Sequence, residues 1–180
     1  MKKIILIVIT IMLLVGCSLS NTPSGRVEEY LNNYNNLSED VLMDIDVKVM
    51  SENLSSDNKE VYKKVLKRGY QNMKYDIKDE IIDGDKATVV VKISVYDLYK
   101  VEQESINYMN MNVSEFYNEN NIFDNDLYNA YRLGEMLKAK DMVDYEVQFE
   151  LYKKDDQWIL ENPNIEVIEK LNGFYNYTEN

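Results

Sequence analysis

The sequence predicts an α+β domain in which helices come first and two antiparallel β-hairpins follow. Between residues 25 and 72, apolar residues recur every three or four positions, the period of helices with one buried face. In residues 87–95 and again in residues 143–151, apolar and polar residues alternate, which is the period of a half-buried strand. A run of helices followed by a run of strands is typical of the α+β class.

The N-terminal segment is typical of a secretory signal. Lys2 and Lys3 precede an apolar run from Ile4 to Val15, and a basic start followed by an apolar core of about seven to fifteen residues marks a signal peptide. The run is shorter than the roughly 20 apolar residues that a membrane-spanning helix needs. We therefore predict a signal peptide over residues 1–16; the alternatives are an uncleaved signal anchor and a cut by ordinary signal peptidase.

The end of this segment, Leu14-Val15-Gly16-Cys17, resembles the lipobox of bacterial lipoproteins. The resemblance implies cleavage between Gly16 and Cys17 and a diacylglyceryl group on the Cys17 sulfur, with acyl chains such as palmitate. Two acyl chains hold a protein stably on a bilayer, whereas one chain binds only marginally. The resemblance thus implies a lipid-anchored protein on the extracytoplasmic face of the cell membrane, with residues 17–24 as a lipidated tether and residues 25–177 as one domain.

Three helices are predicted after the tether. The first begins around Pro23, Ser38 is predicted to cap the second, and Asp57 with Glu60 forms a capping-box pattern that opens the third. The apolar positions on their buried faces are Val27, Tyr30, Leu31, Tyr34 and Leu37, then Val41, Leu42, Ile45 and Val49, then Val61, Tyr62, Val65, Leu66 and Tyr70.

Two hairpins are predicted from turn residues between alternating segments. Asp83-Gly84 is a hairpin turn signal, and Lys154-Asp155-Asp156 turns the chain toward a short strand that Pro163 ends. A short terminal helix is predicted over Ile165–Leu171, ending at Asn172-Gly173. The alternation assigns one shared core to Val89, Val91, Ile93, Val147, Phe149 and Trp158.

The segment between the hairpins, residues 99–141, is predicted to be an insertion that is irregular at first and helical over residues 125–140. Residues 106–125 are rich in Asn, Tyr and Met and fit neither a strand nor a single helical face. An irregular stretch of this length is usually functional or disordered. One interpretation is an insertion that packs its aromatic side chains back onto the domain; the other is a partner-binding loop at the rim of a cavity.

Short patterns in the mature chain resemble lipoproteins with a nuclear-transport-factor-2-like, or cystatin-like, fold. The matching stretches are Thr22-Pro23-Ser24, two strand signatures at residues 84–89 and 151–159, and the ending Glu169-Lys170-Leu171-Asn172-Gly173. The resemblance implies a bent antiparallel sheet wrapped on N-terminal helices into a cone with a cavity. It implies no activity, because this fold carries enzymes, ligand binders and protein-binding modules.

The composition argues against several classes of function. The formal net charge is −12, and loss of Lys2 and Lys3 with the signal peptide takes it to −14. Nucleic acid is therefore not expected as a partner, because its phosphates are bound by the positive charges of Lys and Arg. The chain has no histidine and one cysteine, so the commonest general base and metal ligand is missing, and a lipidated Cys17 leaves no thiol for a disulfide.

The catalytic and metal motifs that can be found all have simpler explanations. Ser56-Asp57-Asn58-Lys59 overlaps two motifs of penicillin-binding enzymes, but they share four residues here, which indicates a helix cap and first turn. Asp124-Asn125-Asp126 with Glu135 lacks the glycine of an EF-hand loop, which indicates a helix cap. The carboxylate pairs, which fit solvated turns and faces, are Asp44/Asp46, Asp83/Asp85 and Asp155/Asp156. We predict no catalytic residue, metal site or cofactor, and assign no ligand-binding residue.

The sequence leaves two alternative functions. The first is a non-enzymatic, membrane-anchored module that binds an envelope protein or a small ligand. The second is an enzyme that uses Tyr with Asp or Glu in a cone-shaped pocket. A closed core lined only by apolar side chains would favour the first function, and an open pocket with converging carboxylates and Tyr would favour the second.

Overall fold

The computed structural model describes residues 21–178. The predicted signal peptide, the lipobox and Cys17 lie outside the described residues. The helices are α1 Pro23–Asn35, α2 Glu39–Ser51, α3 Ser56–Asn72, α4 Leu98–Met111, α5 Asn125–Lys138 and α6 Ile165–Asn172, with a 3-10 helix at Val113–Phe116. The strands are β1 Lys74–Asp83, β2 Lys86–Tyr96, β3 Met142–Lys154 and β4 Gln157–Leu160.

The four strands form one open antiparallel sheet in the order β1-β2-β3-β4. Both predicted hairpins are present, and β2 pairs with β3 along its whole length, from Lys86 opposite Tyr152 to Tyr96 opposite Met142. The register of β1 shifts between Ile77 and Asp79. A bulge of this kind twists an edge strand and disfavours pairing with another chain. Three helices followed by an antiparallel sheet confirm the predicted α+β class.

One face of the sheet carries the core. The six residues predicted to share a core are all buried and belong to one cluster. Helices α1, α3 and α6 pack on this face, while α2 and α5 pack against α3, and α4 packs against α5. The opposite face carries charged pairs such as Lys92 with Asp144, 2.8 Å apart.

The helix ends follow local capping chemistry, with one exception to the predictions. The hydroxyl of Ser38 accepts a hydrogen bond from the Val41 N–H and caps α2, as predicted. The capping box at Asp57 and Glu60 is wrong: α3 already begins at Ser56, and its N-cap residue, Ser55, makes no side-chain cap bond. Helix α1 begins at Pro23, inside the predicted tether, because proline suits the first helical turn.

The prediction of an irregular first half for residues 99–141 is also wrong. Helix α4 occupies Leu98–Met111, and the Asp97 carboxylate caps it by accepting from the Lys100 N–H. Its buried face includes Ser105, whose hydroxyl donates to the Val101 carbonyl. A polar residue on the buried face hides the apolar period of the helix, which explains why the sequence pattern did not indicate it. The predicted helical second half is confirmed as α5.

The two hairpin turns and the start of α1 lie at one end of the sheet. The Lys153 N–H donates to the Asp85 carbonyl, which joins the turns, and Asn21 contacts the β3–β4 turn through the Asp156 carbonyl and the Trp158 N–H. The opposite end is closed by α6. Its C-cap, Gly173, has a φ of 75°, and a Cβ there would collide with the Tyr96 carbonyl oxygen.

Candidate functional site

A polar pocket lies within the helical layers. Its volume is about 240 Å³, somewhat below the roughly 300–1,000 Å³ of sites for drug-sized ligands. We call it the helical pocket; its lining residues are Lys48, Glu52, Leu54, Tyr62, Glu102, Arg132, Leu133, Met136, Glu169, Asn172 and Phe174. These residues come from helices α2 to α6 and from the segments that follow α2 and α6, so the pocket forms only when these five helices are packed together.

One polar contact of the pocket is the ion pair between Arg132 and Glu102. The Arg132 Nη1 lies 2.5 Å from the Glu102 Oε1, and Nη2 donates to the Asn129 amide oxygen at 3.2 Å. Both partners of the ion pair are largely covered. The Nε of Arg132 is buried without an acceptor among the described residues. Buried polar groups are usually hydrogen-bonded, so the pocket contains a donor that residues 21–178 leave unsatisfied.

Lys48 supplies a second cation. Burial lowers the pKa of its ammonium group, and the neighbouring carboxylates of Glu52 and Glu169 oppose that effect. Its Nζ lies 5.9 Å from the centroid of the Phe174 ring. Among the described residues no carboxylate oxygen lies within ion-pair distance of it, so this partly dehydrated cation faces the pocket unpaired.

Tyr62 and Asn172 add neutral donors. Tyr62 is buried, with its ring edge-on to Phe174 at a centroid separation of 6.5 Å. Burial raises its pKa above the ordinary value of 10.0, so the phenol stays protonated at neutral pH and acts as a hydrogen-bond donor. The Asn172 amide oxygen accepts from the Tyr70 hydroxyl at 2.5 Å, and its amide nitrogen can act as a donor in the pocket.

The balance of charge in the pocket is slightly negative. Three carboxylates, those of Glu52, Glu102 and Glu169, face the two cations. The pocket also lies at the C-terminal ends of α2 and α6, where helix dipoles carry partial negative charge and favour cations. The pocket therefore offers a place for a positive group as well as donors for a negative one.

A second concave surface is the groove between α4 and α5. It is more open, has a volume of about 560 Å³, and is bordered by charged residues of both signs. Its apolar floor includes Val101 and the stacked rings of Tyr108 and Tyr131, whose centroids are 4.7 Å apart. The charged residues of the groove largely pair with one another, as Lys138 does with Glu135 at 2.8 Å.

The residues singled out in the sequence lie in different places. Cys17 and Gly16 are outside the described residues. Asp124 caps α5 by accepting from the N–H groups of Asp126 and Leu127, as predicted. Asn58 is buried and donates to the Asp126 carbonyl, so the Ser56–Lys59 stretch ties α3 to α5. The carboxylate pairs predicted at turns and polar faces are exposed.

The aromatic residues of the insertion pack mainly on one another. Phe116 is buried, and its ring contacts those of Tyr108, Phe123, Tyr128 and Tyr131. These rings form a cluster of their own, apart from the main core, so packing onto the domain and a partner-binding loop both stay open as interpretations. Residues 106–123 contribute nothing to the lining of the helical pocket, whereas Asn107, Tyr108 and Met111 line the groove between α4 and α5. The partner-binding role at a cavity rim stays a prediction. Met111 and Ile122 remain exposed.

Sequence reasoning did not find the residues of the helical pocket. One signal was available for Lys48. It falls on the face of α2 that carries Val41 and Ile45, where an apolar residue is expected. Arg132 and Glu102 gave no comparable signal, because charged residues thirty positions apart on separate helices have no visible spacing rule.

No helix in the described part of the chain is long and apolar enough to cross a bilayer. No family model matches the sequence, and no curated protein matches it. A solved structure of a candidate lipoprotein, ycdA, from Bacillus subtilis is similar to this chain, with 18% sequence identity and a TM-score of 0.46. The match covers 83% of this chain and 47% of the other, so the chain spans about half the length of that protein.

Proposed function

We propose that the protein is a lipid-anchored, extracytoplasmic binding module that takes a small polar ligand in the helical pocket. The observation that carries this proposal is the set of unpaired donors and acceptors that converge there from separate helices. The anchor rests on the lipobox resemblance at Cys17. We further propose that the domain is a nuclear-transport-factor-2-like cone, which is supported by N-terminal helices that cover one face of an antiparallel sheet.

The pocket suits binding because its polar groups are held in place rather than free to adapt. Arg132 is fixed by Glu102 and Asn129, and Asn172 is fixed by Tyr70. Leu133 and Met136 are buried and give the pocket an apolar wall. A few positioned polar groups on an apolar wall are typical of ligand sites.

The second candidate is an enzyme, because Tyr62 does converge with three carboxylates, as expected of a catalytic pocket. The details favour binding. Tyr62 holds its proton more tightly than a free phenol, which makes it a poor general base at neutral pH. The Glu102 carboxylate is already paired with Arg132. Glu52 and Glu169 are exposed to solvent at the rim of the pocket, which is not the buried setting expected of a catalytic carboxylate.

The binding proposal can be tested by filling the pocket. Protein purified with its anchor is dialysed against a small-molecule extract, and retained compounds are identified by mass spectrometry. Leu54→Trp places a large ring in the lining, whereas Leu127→Trp makes the same change at an exposed position. We expect the parent and Leu127→Trp to retain the same compound and Leu54→Trp to lose it.

Equal retention by Leu54→Trp, or no retention by the parent, would contradict the binding proposal. Chemical conversion of the retained compound by the parent, abolished in Tyr62→Phe, would establish the enzyme instead. The anchor is tested separately: Cys17→Ser should leave the membrane fraction or accumulate as uncleaved precursor. A Cys17→Ser protein that is processed and still membrane-bound would overturn the anchor.

A further inference from the structure

The groups around the helical pocket divide into complementary sets. Lys48 brings an ammonium that lacks an ion-pair partner among residues 21–178, and Tyr62 and Asn172 bring donors beside it. Glu52 and Glu169 bring carboxylates that make no ion pair or side-chain hydrogen bond in the same range. A ligand with only one charge would complement one set and leave the other unpaired.

The apolar wall adds a third requirement. Leu54, Leu133, Met136 and the Phe174 ring line the pocket together with the charged groups. A ligand must therefore also present an apolar body to bury, since apolar area removed from water contributes about 25 cal/mol per Å². The volume of about 240 Å³ limits that body to a small one.

We infer that the ligand is a small zwitterion with an apolar body, the chemistry of a free amino acid with an apolar side chain. Its carboxylate pairs with Lys48 and accepts from the Tyr62 hydroxyl and the Asn172 amide. Its ammonium pairs with Glu169 and Glu52 near the C-terminal ends of α2 and α6. This inference deepens the proposed function and rests on it.

The test compares one zwitterion with its two halves by titration calorimetry on the protein purified with its anchor. The probes are L-leucine, isocaproate, which lacks the amine, and isoamylamine, which lacks the carboxylate. We expect leucine to bind at least tenfold more tightly than either half, because each half lacks one of the two charged groups that the pocket would pair, and a factor of ten is about 1.4 kcal/mol.

Matched charge variants assign the two ends of the ligand. Lys48→Met should weaken leucine at least tenfold without weakening isoamylamine, and Glu169→Gln should weaken leucine without weakening isocaproate, because Lys48 and Glu169 already act on each other's charge in the free pocket. The controls are Lys64→Met and Glu146→Gln, which remove the same charges at exposed positions outside the pocket. Both controls should bind leucine as the parent does.

The inference is overturned if leucine gives no binding, or if either half binds as tightly as leucine. It is also overturned if Lys64→Met weakens leucine as much as Lys48→Met does, because general charge rather than the pocket would then be responsible. These outcomes do not decide whether the helical pocket binds some other small ligand, as proposed above. A compound that is retained by the parent and lost in Leu54→Trp would keep the module and reject only the zwitterion.

Discussion

Phe149→Ala gives the sharpest test of how the domain is held together. The Phe149 side chain is 1% exposed, and its ring meets that of Tyr30 edge-on with centroids 5.7 Å apart. It therefore joins β3, at the centre of the sheet, to α1, the first helix. Truncating a fully buried phenylalanine removes its transfer free energy and leaves a cavity, and together these cost about 3–5 kcal/mol.

The single tryptophan of the chain, Trp158, is buried in the same core and reports on unfolding. We would follow its fluorescence in urea. With a urea slope of about 2 kcal/mol per molar, a loss of about 4 kcal/mol moves the midpoint down by about 2 M. The slope itself should not change, because the surface exposed on unfolding is nearly the same.

The neighbouring residue provides the control. Gln148 is exposed on the opposite face of the same strand, so Gln148→Ala should stay within about 0.5 kcal/mol of the parent. A loss below about 1 kcal/mol for Phe149→Ala would refute the assignment of the buried face. So would an equal loss in both variants.

Three further changes test the ends of the fold and its tyrosines. Gly173→Ala should lower the midpoint of thermal unfolding clearly, because φ is 75° and the new Cβ would meet the Tyr96 carbonyl; unchanged stability would contradict that contact. Asp97→Ala removes the α4 cap and the acceptor of the Tyr177 hydroxyl, and should cost about 1–2 kcal/mol in urea, whereas exposed Asp79→Ala should cost little. Burial raises the pKa of Tyr62 and Tyr70 above 10.0, so their contribution to stability is complete below pH 10 and is lost as the pH rises above it. Phenolate absorbance should therefore lag behind that of exposed tyrosines until circular dichroism shows unfolding; smooth titration of every tyrosine in an intact fold would contradict this.

The two central strands of the sheet could be predicted because their alternation is undisturbed. One face is buried and one is polar, so β2 and β3 alternate without a break, and turn residues mark their ends. The terminal helix was also predictable, since Gly173 provides the left-handed C-cap that such helices favour. Each of these features is local in the sequence.

Helix α4 and the helical pocket could not be predicted, because each depends on contacts between distant segments. Only a few of the α4 side chains are buried, and one of them is polar. The Arg132–Glu102 pair joins α5 to α4, and Asn172 of α6 joins Tyr70 of α3. Periodicity describes one segment at a time, so it indicates which face of a helix is buried but not which charged residues meet across helices.

The separation of the two ends of the sheet has a consequence for electrostatics at a membrane. Strand β2 runs ten residue steps from Lys86, near the two hairpin turns, to Tyr96, beside Gly173, a length of about 33 Å. Asn21, the first described residue, lies at the hairpin-turn end, so the proposed lipid on Cys17 would attach to the domain from that end. The surface potential of anionic lipids decays within a Debye length of about 8 Å at physiological salt. Under the proposed anchor, a pocket lined by Asn172 and Phe174, the neighbours of Gly173, would lie at the end of the sheet away from the bilayer, where the potential of the lipids beneath it has decayed.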